Sequence, residues 1–110
     1  MADSFTVENV GRDELKKGLA DGSIVLVDVR EPNEFADGHI QGAILNPLQS
    51  FDPEALPKKK DDQRIVLSCR SGKRSLVAME RARAAGRTDI TAHYAGGMLD
   101  WSAAGEPIEE

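Results

Sequence analysis

The sequence predicts an α/β domain with a mostly parallel sheet of five strands and helices on both faces. Two observations predict this fold class. The runs Ile24–Asp28 and Arg64–Ser68 are almost continuously apolar, which is typical of parallel strands covered on both faces. Between such runs lie stretches in which apolar residues recur at helical spacing and a glycine follows. At 110 residues, the chain is long enough for one domain with a modest core.

In the first half of the chain we expect a strand, a helix, a strand, a short helix and a strand. Their predicted ranges are Phe5–Val7, Arg12–Ala20, Ile24–Asp28, Asn33–Phe35 and Ala43–Leu45. Leu15 and Leu19 would share one face of the longer helix, and Gly22 would end it. Pro32 suits the first turn of the short helix, because the N–H group that proline lacks is unpaired there in any residue.

The second half is expected to supply an irregular or short helical link, a strand, a helix and a strand. Their predicted ranges are Leu48–Leu56, Arg64–Ser68, Ser75–Ala85 and Ile90–Tyr94. The apolar side of this helix is predicted to carry Leu76, Val77, Ala78, Met79, Ala82 and Ala85. Gly86 is placed to end the helix, and we interpret Met98 and Trp101 as core packing.

The composition argues against several classes of function. The formal net charge of -5 disfavours nonspecific binding to nucleic acid or to an anionic membrane. A single cysteine excludes an internal disulfide framework and a multi-cysteine metal site, and two histidines fall short of a zinc set, so we expect no metal or other cofactor. The first residues lack the pattern of a signal peptide, and no run is apolar enough to span a bilayer, so we expect a cytoplasmic protein.

The only cysteine, Cys69, lies between the predicted strand Arg64–Ser68 and the helix that follows. A loop in this position presents unpaired N–H groups and the positive end of a helix dipole, which together favour an anion. Arg70, Lys73 and Arg74 add three positive charges within five residues of the sulfur. These features lower the pKa of a thiol, so the sequence predicts a reactive thiolate at Cys69.

Seven segments match one known family in their order and spacing. They are Val27-Asp28-Val29-Arg30-Glu31, Glu34-Phe35, Gly38-His39-Ile40-Gln41-Gly42-Ala43, Asn46-Pro47, Cys69-Arg70-Ser71-Gly72-Lys73-Arg74-Ser75, Gly96-Gly97-Met98 with Trp101, and Gly105-Glu106-Pro107. In these segments the chain resembles the rhodanese (thiosulfate sulfurtransferase) family. The resemblance implies one rhodanese-like domain over residues 1–110, with a core of about 5–107.

The resemblance also implies roles for individual residues. Cys69 is the expected catalytic nucleophile. The other residues of its loop are the expected substrate-binding groups: Arg70, Ser71, Gly72, Lys73, Arg74 and Ser75. Asp28 and Arg30 are expected to help hold the loop. We assign neither His39 nor His93 as a catalytic base, because the loop already lowers the thiol pKa.

The expected activity is thiosulfate sulfurtransfer by double displacement. The Cys69 thiolate attacks the outer, sulfane sulfur of thiosulfate, sulfite leaves, and a persulfide remains on Cys69 until cyanide or a thiol takes the sulfur. The loop N–H groups would hold the anionic sulfur, and Arg70 would bind the sulfonate oxygens. Because thiosulfate is a dianion, a rim with three cations suits it as the small-molecule sulfur donor.

Three other functions are alternatives to thiosulfate sulfurtransfer: a cysteine phosphatase, a persulfide carrier and an interaction module. In the related cysteine phosphatases an arginine follows the cysteine by six positions, but here that residue is Ser75, and Arg74 comes one residue early. A persulfide carrier would use the same chemistry of Cys69 with a protein as sulfur donor or acceptor. A non-enzymatic interaction module is the remaining alternative, although rhodanese-like domains of that kind usually lack the cysteine. The carrier and the thiosulfate enzyme stay open, since they differ only in the donor.

Overall fold

The structure is a computed structural model that describes residues 7–110, and it contains one sheet of five strands. The strands are β1 (Glu8–Val10), β2 (Ile24–Asp28), β3 (Ile44–Leu45), β4 (Arg64–Ser68) and β5 (Ala92–Tyr94). Their order across the sheet is β1-β5-β4-β2-β3, and each neighbouring pair is parallel. The predicted α/β fold class is therefore confirmed, with a sheet that is parallel throughout the described residues.

The helices lie between the strands and after the last one. They are α1 (Arg12–Asp21), α2 (Pro32–Asp37), α3 (Lys73–Ala84) and α4 (Gly97–Ala103). The predicted link is two single-turn 3-10 helices, Leu48–Ser50 and Pro53–Ala55. Gly22 ends α1 in the left-handed conformation, as predicted. Helix α4 was not among the predicted elements.

Several boundaries differ from the predicted ones. By one or two residues, α1 and α2 extend beyond their predicted ranges, β3 begins later and α3 ends earlier. Phe5 and Thr6 of the predicted first strand lie outside the described residues, and the strand that the structure describes there begins at Glu8. Helix α3 begins at Lys73 instead of Ser75, because Gly72 adopts a left-handed conformation that turns the chain directly into the helix. Strand β5 begins at Ala92 instead of Ile90, since pairing with both neighbouring strands starts at that residue.

The core consists of two apolar clusters, one on each face of the sheet. Leu26 and Val66 point to the face covered by α1 and α4, where Trp101 is buried. Val27 and Leu67 point to the opposite face, which α3 covers. Neighbouring residues of one strand thus enter different clusters, which explains why β2 and β4 are apolar without alternation.

Two predictions about packing have different outcomes. The interpretation of Met98 and Trp101 as core residues is confirmed, since both are buried. The predicted apolar side of α3 is wrong for Leu76 and Val77, which are each 40% exposed, and for Ala85, which is exposed just after the helix ends. The buried side of this helix instead follows the spacing of its turns through Ser75, Ala78, Met79 and Ala82.

Strands β2 and β4 bring the predicted functional residues to one edge of the sheet. Their register pairs Asp28 with Ser68, so the residues that follow, Val29 and Cys69, leave the sheet side by side. The chain continues from β2 to β3 on one side and from β4 to β5 on the other. The carboxyl ends of β2 and β4 therefore mark the point where parallel sheets of this kind bind ligands.

Candidate active site

The loop from Cys69 to Gly72 connects β4 to α3 and contains the thiol. Gly72 has a φ angle of 90°, and a Cβ at this position would overlap the carbonyl oxygen of Ala95. A side chain is therefore excluded both by the conformation of the backbone and by the space around it. This glycine lets the chain reverse tightly enough for the first N–H groups of α3 to face the sulfur.

The carbonyl groups of the loop are held by the start of α4. The N–H groups of Met98 and Leu99 donate to the carbonyl oxygens of Cys69 and Arg70, each at 3.0 Å. Gly97 makes this approach possible, since a Cβ there would lie 2.6 Å from the Cys69 carbonyl oxygen. With its carbonyls bound on one side, the loop turns its N–H groups to the other.

The sulfur of Cys69 is surrounded by hydrogen-bond donors. The N–H groups of Gly72 and Ser75 donate to Sγ at 3.1 Å and 3.4 Å, and the thiol itself donates to the hydroxyl of Ser75 at 3.6 Å. Burial raises the pKa of the Cys69 thiol, but hydrogen bonds from Ser75, Ser71 and Gly72 lower it by more, so the pKa lies below its ordinary value. The site can therefore hold an anionic sulfur.

The three cations of the loop differ in their surroundings. Arg70 and Lys73 are exposed, and within residues 7–110 their side chains make no hydrogen bond or ion pair. Arg74 instead pairs with Glu34 of α2 through two hydrogen bonds of 2.7 Å and 2.9 Å. Two of the three predicted rim cations therefore have no side-chain partner among residues 7–110, whereas Glu34 binds two N–H groups of the Arg74 guanidinium.

Glu34 is the residue of this site to which the sequence analysis gave no role. Its hydrogen bonds to Arg74 lower the pKa of the carboxyl to about 2. The same side chain accepts a hydrogen bond from the N–H group of Glu31 at the start of α2. Glu34 thus ties α2 to the first turn of α3, beside Cys69.

Asp28 and Arg30 form a buried ion pair with an N–O distance of 2.8 Å. The other hydrogen bonds of the Arg30 guanidinium go to the carbonyl oxygens of Glu34 and Gly38. The pair therefore fixes α2 and its end, and it makes no direct hydrogen bond to the loop 69–75. The pair supports the loop through α2 and the contact between Glu34 and Arg74, and the charge of Asp28 also interacts with Arg74.

A groove of about 400 Å³ opens beside Arg70. Its walls combine the charged groups of Arg30, Asp37 and Glu110 with the apolar side chains of Leu99 and Ile108. Both of these apolar side chains are more than two-fifths exposed, at 47% and 42%. The groove lies next to the loop and is open to a molecule that approaches from solvent.

The two histidines have structural partners of different kinds. His39 stacks on Phe35 and its Nδ1 atom lies 2.8 Å from the Phe35 carbonyl oxygen. His93 is buried on β5, with Nδ1 2.7 Å from the hydroxyl of Ser75 and Nε2 3.0 Å from the side chain of Asn9. His93 does not touch the sulfur, but it touches a residue that does. One indication from the sequence that His93 lies near the loop is that His93 falls in a predicted strand of the same sheet.

Groupings that could bind a metal are missing from the part of the chain that the structure describes, where no three side chains of His, Cys, Asp or Glu cluster suitably. None of the helices in the same residues has the length and apolar character needed to cross a bilayer.

Comparisons with known proteins identify the family. A sequence model of the rhodanese-like domain matches residues 11–104. Over 109 residues the chain is 31% identical to the thiosulfate:glutathione sulfurtransferase of Saccharomyces cerevisiae, and the match covers 86% of this chain and 78% of that protein. The solved structure of the human single-domain sulfurtransferase TSTD1 has a TM-score of 0.71 and 33% identity, covering 88% of this chain and 96% of that one.

A longer relative matches this chain over only part of its own length. The chain is 42% identical over 85 residues to the uncharacterized protein slr1261 of Synechocystis sp.. This match covers 77% of the chain but 46% of that protein, so the chain spans about half the length of this relative.

Proposed function

This chain belongs to the rhodanese-like domain family, and on that premise we propose that it is a sulfurtransferase that carries the sulfane sulfur of thiosulfate on Cys69 to cyanide or a thiol. One observation carries the proposal. The thiol that the loop presents lies 3.1 Å and 3.4 Å from two N–H groups, in a position that lowers its pKa. Relatives that are named thiosulfate:glutathione sulfurtransferase support the same reaction class.

The first half-reaction loads the enzyme. The thiolate of Cys69 forms a bond to the outer sulfur of thiosulfate, the S–S bond of thiosulfate breaks, and sulfite leaves with the electron pair. Negative charge then lies on the outer sulfur of the persulfide. The N–H groups of Gly72 and Ser75 lie 3.1 Å and 3.4 Å from Sγ, so they would stabilise the thiolate before it attacks, at the atom that then bonds to the outer sulfur.

The donor is recognised by the two available cations. Arg70 and Lys73 would bind the sulfonate oxygens of thiosulfate, with Arg70 able to offer two parallel N–H groups. Arg74 contributes its charge from a fixed position, because its N–H groups are engaged by Glu34. A dianionic donor benefits from both cations, whereas a donor with one charge would use only one of them.

The second half-reaction unloads the enzyme. The acceptor, cyanide or the thiolate of a small thiol, attacks the outer sulfur of the persulfide, and Cys69 leaves as a thiolate that the same N–H groups stabilise. An acceptor larger than cyanide would lie in the groove beside Arg70. A working thiol of this kind requires a reducing compartment, and we propose the cytoplasm.

A second candidate is a persulfide carrier that exchanges sulfur with a protein. Leu99 and Ile108 favour it, because two exposed apolar side chains beside the groove suit contact with a protein surface better than contact with a small anion. The carrier uses the same Cys69 persulfide. It differs in being loaded by a protein donor instead of thiosulfate.

The mass of the intact protein tests the proposal. Brief exposure to thiosulfate should add the mass of one sulfur atom, and cyanide should remove it and yield thiocyanate. The variant Cys69→Ser should gain no mass while keeping the circular-dichroism spectrum of the parent. Gain of sulfur by this variant would contradict the assignment of the nucleophile.

The same measurement separates the alternatives. A reduced Cys69 that gains no sulfur from thiosulfate, but gains one from a persulfidated protein, would establish the carrier. A Cys69 that accepts sulfur from neither donor would leave the interaction module and overturn the proposed transferase activity.

A further inference from the structure

A chain of hydrogen bonds leads from the sulfur of Cys69 to the protein surface. Sγ lies 3.6 Å from Oγ of Ser75, Oγ lies 2.7 Å from Nδ1 of His93, and Nε2 lies 3.0 Å from Oδ1 of Asn9. Cys69, Ser75 and His93 are at most 3% exposed, whereas Asn9 is exposed to solvent. These hydrogen bonds therefore connect a buried thiol to solvent through a titratable imidazole.

The hydroxyl of Ser75 has one proton and three neighbours that compete for it. The carbonyl oxygen of Gly72, at 3.2 Å, can only accept. If Nδ1 of His93 carries no proton, it accepts the Ser75 proton at the shortest of these distances, and Oγ can then accept from the Cys69 thiol. If Nδ1 carries a proton, it donates to Oγ, and the Ser75 proton is available to a Cys69 thiolate. The proton on Nδ1 thus decides which form of the sulfur Ser75 stabilises.

We propose that His93 is a positioning residue that acts through Ser75 as a proton relay for Cys69, taking up the thiol proton and orienting the Ser75 hydroxyl toward the thiolate. The proposal deepens the proposed function, because it concerns the same thiol. It also predicts a property of the thiol that exists without any sulfur donor.

The relay balances in atoms and charge. The S–H bond of Cys69 breaks as an O–H bond to Ser75 forms, and the original O–H bond of Ser75 breaks as Nδ1–H forms on His93. Cys69 keeps the electron pair, and the imidazolium loses its Nε2 proton to water beside Asn9. The exposed amide of Asn9 can then rotate, so that its NH₂ group donates to Nε2. One proton has reached solvent, and no oxidant or reductant is needed.

The relay provides a route to solvent for the proton of a buried thiol. Cys69 is 1% exposed, so bulk water has little direct access to the thiol proton. A dianion bound at Arg70 and Lys73 would cover the mouth of the loop further. Burial also lowers the pKa of His93, which keeps the imidazole neutral near pH 7 and able to accept a proton.

Apart from the exposed side chains of Arg70 and Lys73 in the loop itself, the charged groups near the relay are paired. Arg74 on α3 interacts electrostatically with Cys69 and with Asp28 on β2. Arg74 forms an ion pair with Glu34, and Asp28 forms one with Arg30. Glu8 on β1, next to Asn9, pairs with Arg64 of β4. Within residues 7–110, His93 is the one titratable side chain that contacts Ser75 besides Cys69 itself.

The test is the pH dependence of Cys69 alkylation by iodoacetamide, a neutral probe, in the absence of thiosulfate. Asparagine at position 93 keeps a hydrogen-bonding group close to Ser75 but cannot take a proton. His93→Asn should raise the apparent pKa of the thiol and slow alkylation at pH 7 by about threefold to tenfold. Ser75→Ala should have an effect at least as large. Because His93 acts through Ser75, the double variant should react like Ser75→Ala alone.

The matched control is His39→Asn. His39 bonds to a backbone carbonyl of α2 and has no contact with the relay, so its replacement should leave the alkylation profile unchanged. An unchanged profile in His93→Asn would overturn the relay, and so would a double variant in which the two effects simply add. Circular dichroism of each variant reports whether the fold is kept.

A second measurement needs no substitution. The chain has two histidines, so nitrogen NMR of the labelled protein can follow each imidazole separately. Titration through the thiol pKa should convert Nδ1 of His93 from an acceptor to a protonated nitrogen. Constant His93 signals across the thiol titration would overturn the proposal. Failure to form a persulfide would overturn the proposed function instead, since neither readout uses a sulfur donor.

Discussion

The floor of the loop, defined as Cys69, Gly72 and Ser75, contrasts with its rim, defined as Arg70 and Lys73. The floor is buried, and its donors are backbone N–H groups fixed by the fold. The rim is exposed, and its charges lie on long side chains without partners among the described residues. Fixed dipoles in a buried place act strongly at one atom, whereas exposed charges act over a wide area and are screened by water and salt.

This difference assigns separate tasks to the two regions. The floor sets the charge state of the sulfur, because the hydrogen bonds at Cys69 lower the pKa of its thiol. The rim attracts and orients an anionic donor. Changes to the floor should therefore alter the chemical step, and changes to the rim should alter the concentration of donor that is required.

The largest effect is expected from Gly72→Ala. A Cβ there would overlap the Ala95 carbonyl at a φ angle of 90°, so the loop must open and the N–H donors must leave the sulfur. We expect a loss of at least about 100-fold in kcat for sulfur transfer, and a loss of about 2–3 kcal/mol in the free energy of unfolding. Steady-state kinetics and urea unfolding measure the two quantities.

Gly86→Ala is the matched control for this loss. Gly86 has a φ angle of 97°, but a Cβ there would meet no atom within 4 Å. This variant should lose about 1 kcal/mol of stability from backbone strain and keep its kcat. Equal losses of activity in both variants would mean that backbone strain in general, and not the geometry of the floor, limits the reaction.

A smaller effect is expected from Arg70→Ala, which removes a cation of the rim. The KM for thiosulfate should rise about tenfold, the value of one charge-assisted hydrogen bond at an exposed site, with little change in kcat. The pH profile of Cys69 alkylation should stay the same, because Arg70 does not contact the sulfur. Lys58→Ala, in the exposed loop between Leu56 and β4, serves as a control for nonspecific loss of positive charge. A fall in kcat without a rise in KM would place Arg70 in the floor.

The smallest effect is expected from Glu34→Gln, which cuts the link between α2 and α3. The pKa of Glu34 is lowered from 4.5 to about 2, so the pair with Arg74 stabilises the fold above pH 4.5 and this contribution disappears as the pH falls toward 2. The variant should be less stable than the parent by about 1 kcal/mol at pH 7, and the difference should vanish as the pH falls through 2. Urea unfolding at a series of pH values measures this.

Glu80→Gln provides the comparison for Glu34→Gln. Glu80 is exposed on α3 and has no side-chain partner among residues 7–110, so its replacement should change stability little at any pH. A Glu34→Gln variant that matches Glu80→Gln at pH 7 would show that the contact with Arg74 does not stabilise the fold.

The strands with the strongest sequence pattern were predicted best. Strands β2 and β4 have the predicted bounds, because burial on both faces leaves a continuous apolar run with clear ends. Strand β5 is shorter than predicted, since Ile90 is buried without pairing and burial alone does not define a strand. The exposure of Leu76 and Val77 was missed because an alanine-rich helix such as α3 can bury its small residues instead.

The candidate site was predictable where it depends on neighbours in sequence. Cys69 and Arg70 were predicted because strand, loop and helix follow one another directly, and Gly72 was predicted from the family resemblance. The pairing of Arg74 with Glu34 was not, since 40 residues separate them and only the sheet order brings α2 beside α3. The contact of Ser75 with His93 depends likewise on β5 lying next to β4.

Because of the two hydrogen bonds from α4 to the loop, amide exchange in that helix reports on the active site. The amide hydrogens of Met98 and Leu99 are bound by the carbonyls of Cys69 and Arg70, so they can exchange with deuterated water only when α4 and the loop separate. Their exchange rates therefore measure how often the loop opens. Loading Cys69 with sulfur should slow the exchange of these two amides if the persulfide holds the loop closed, and should accelerate it if the extra atom pushes the loop outward.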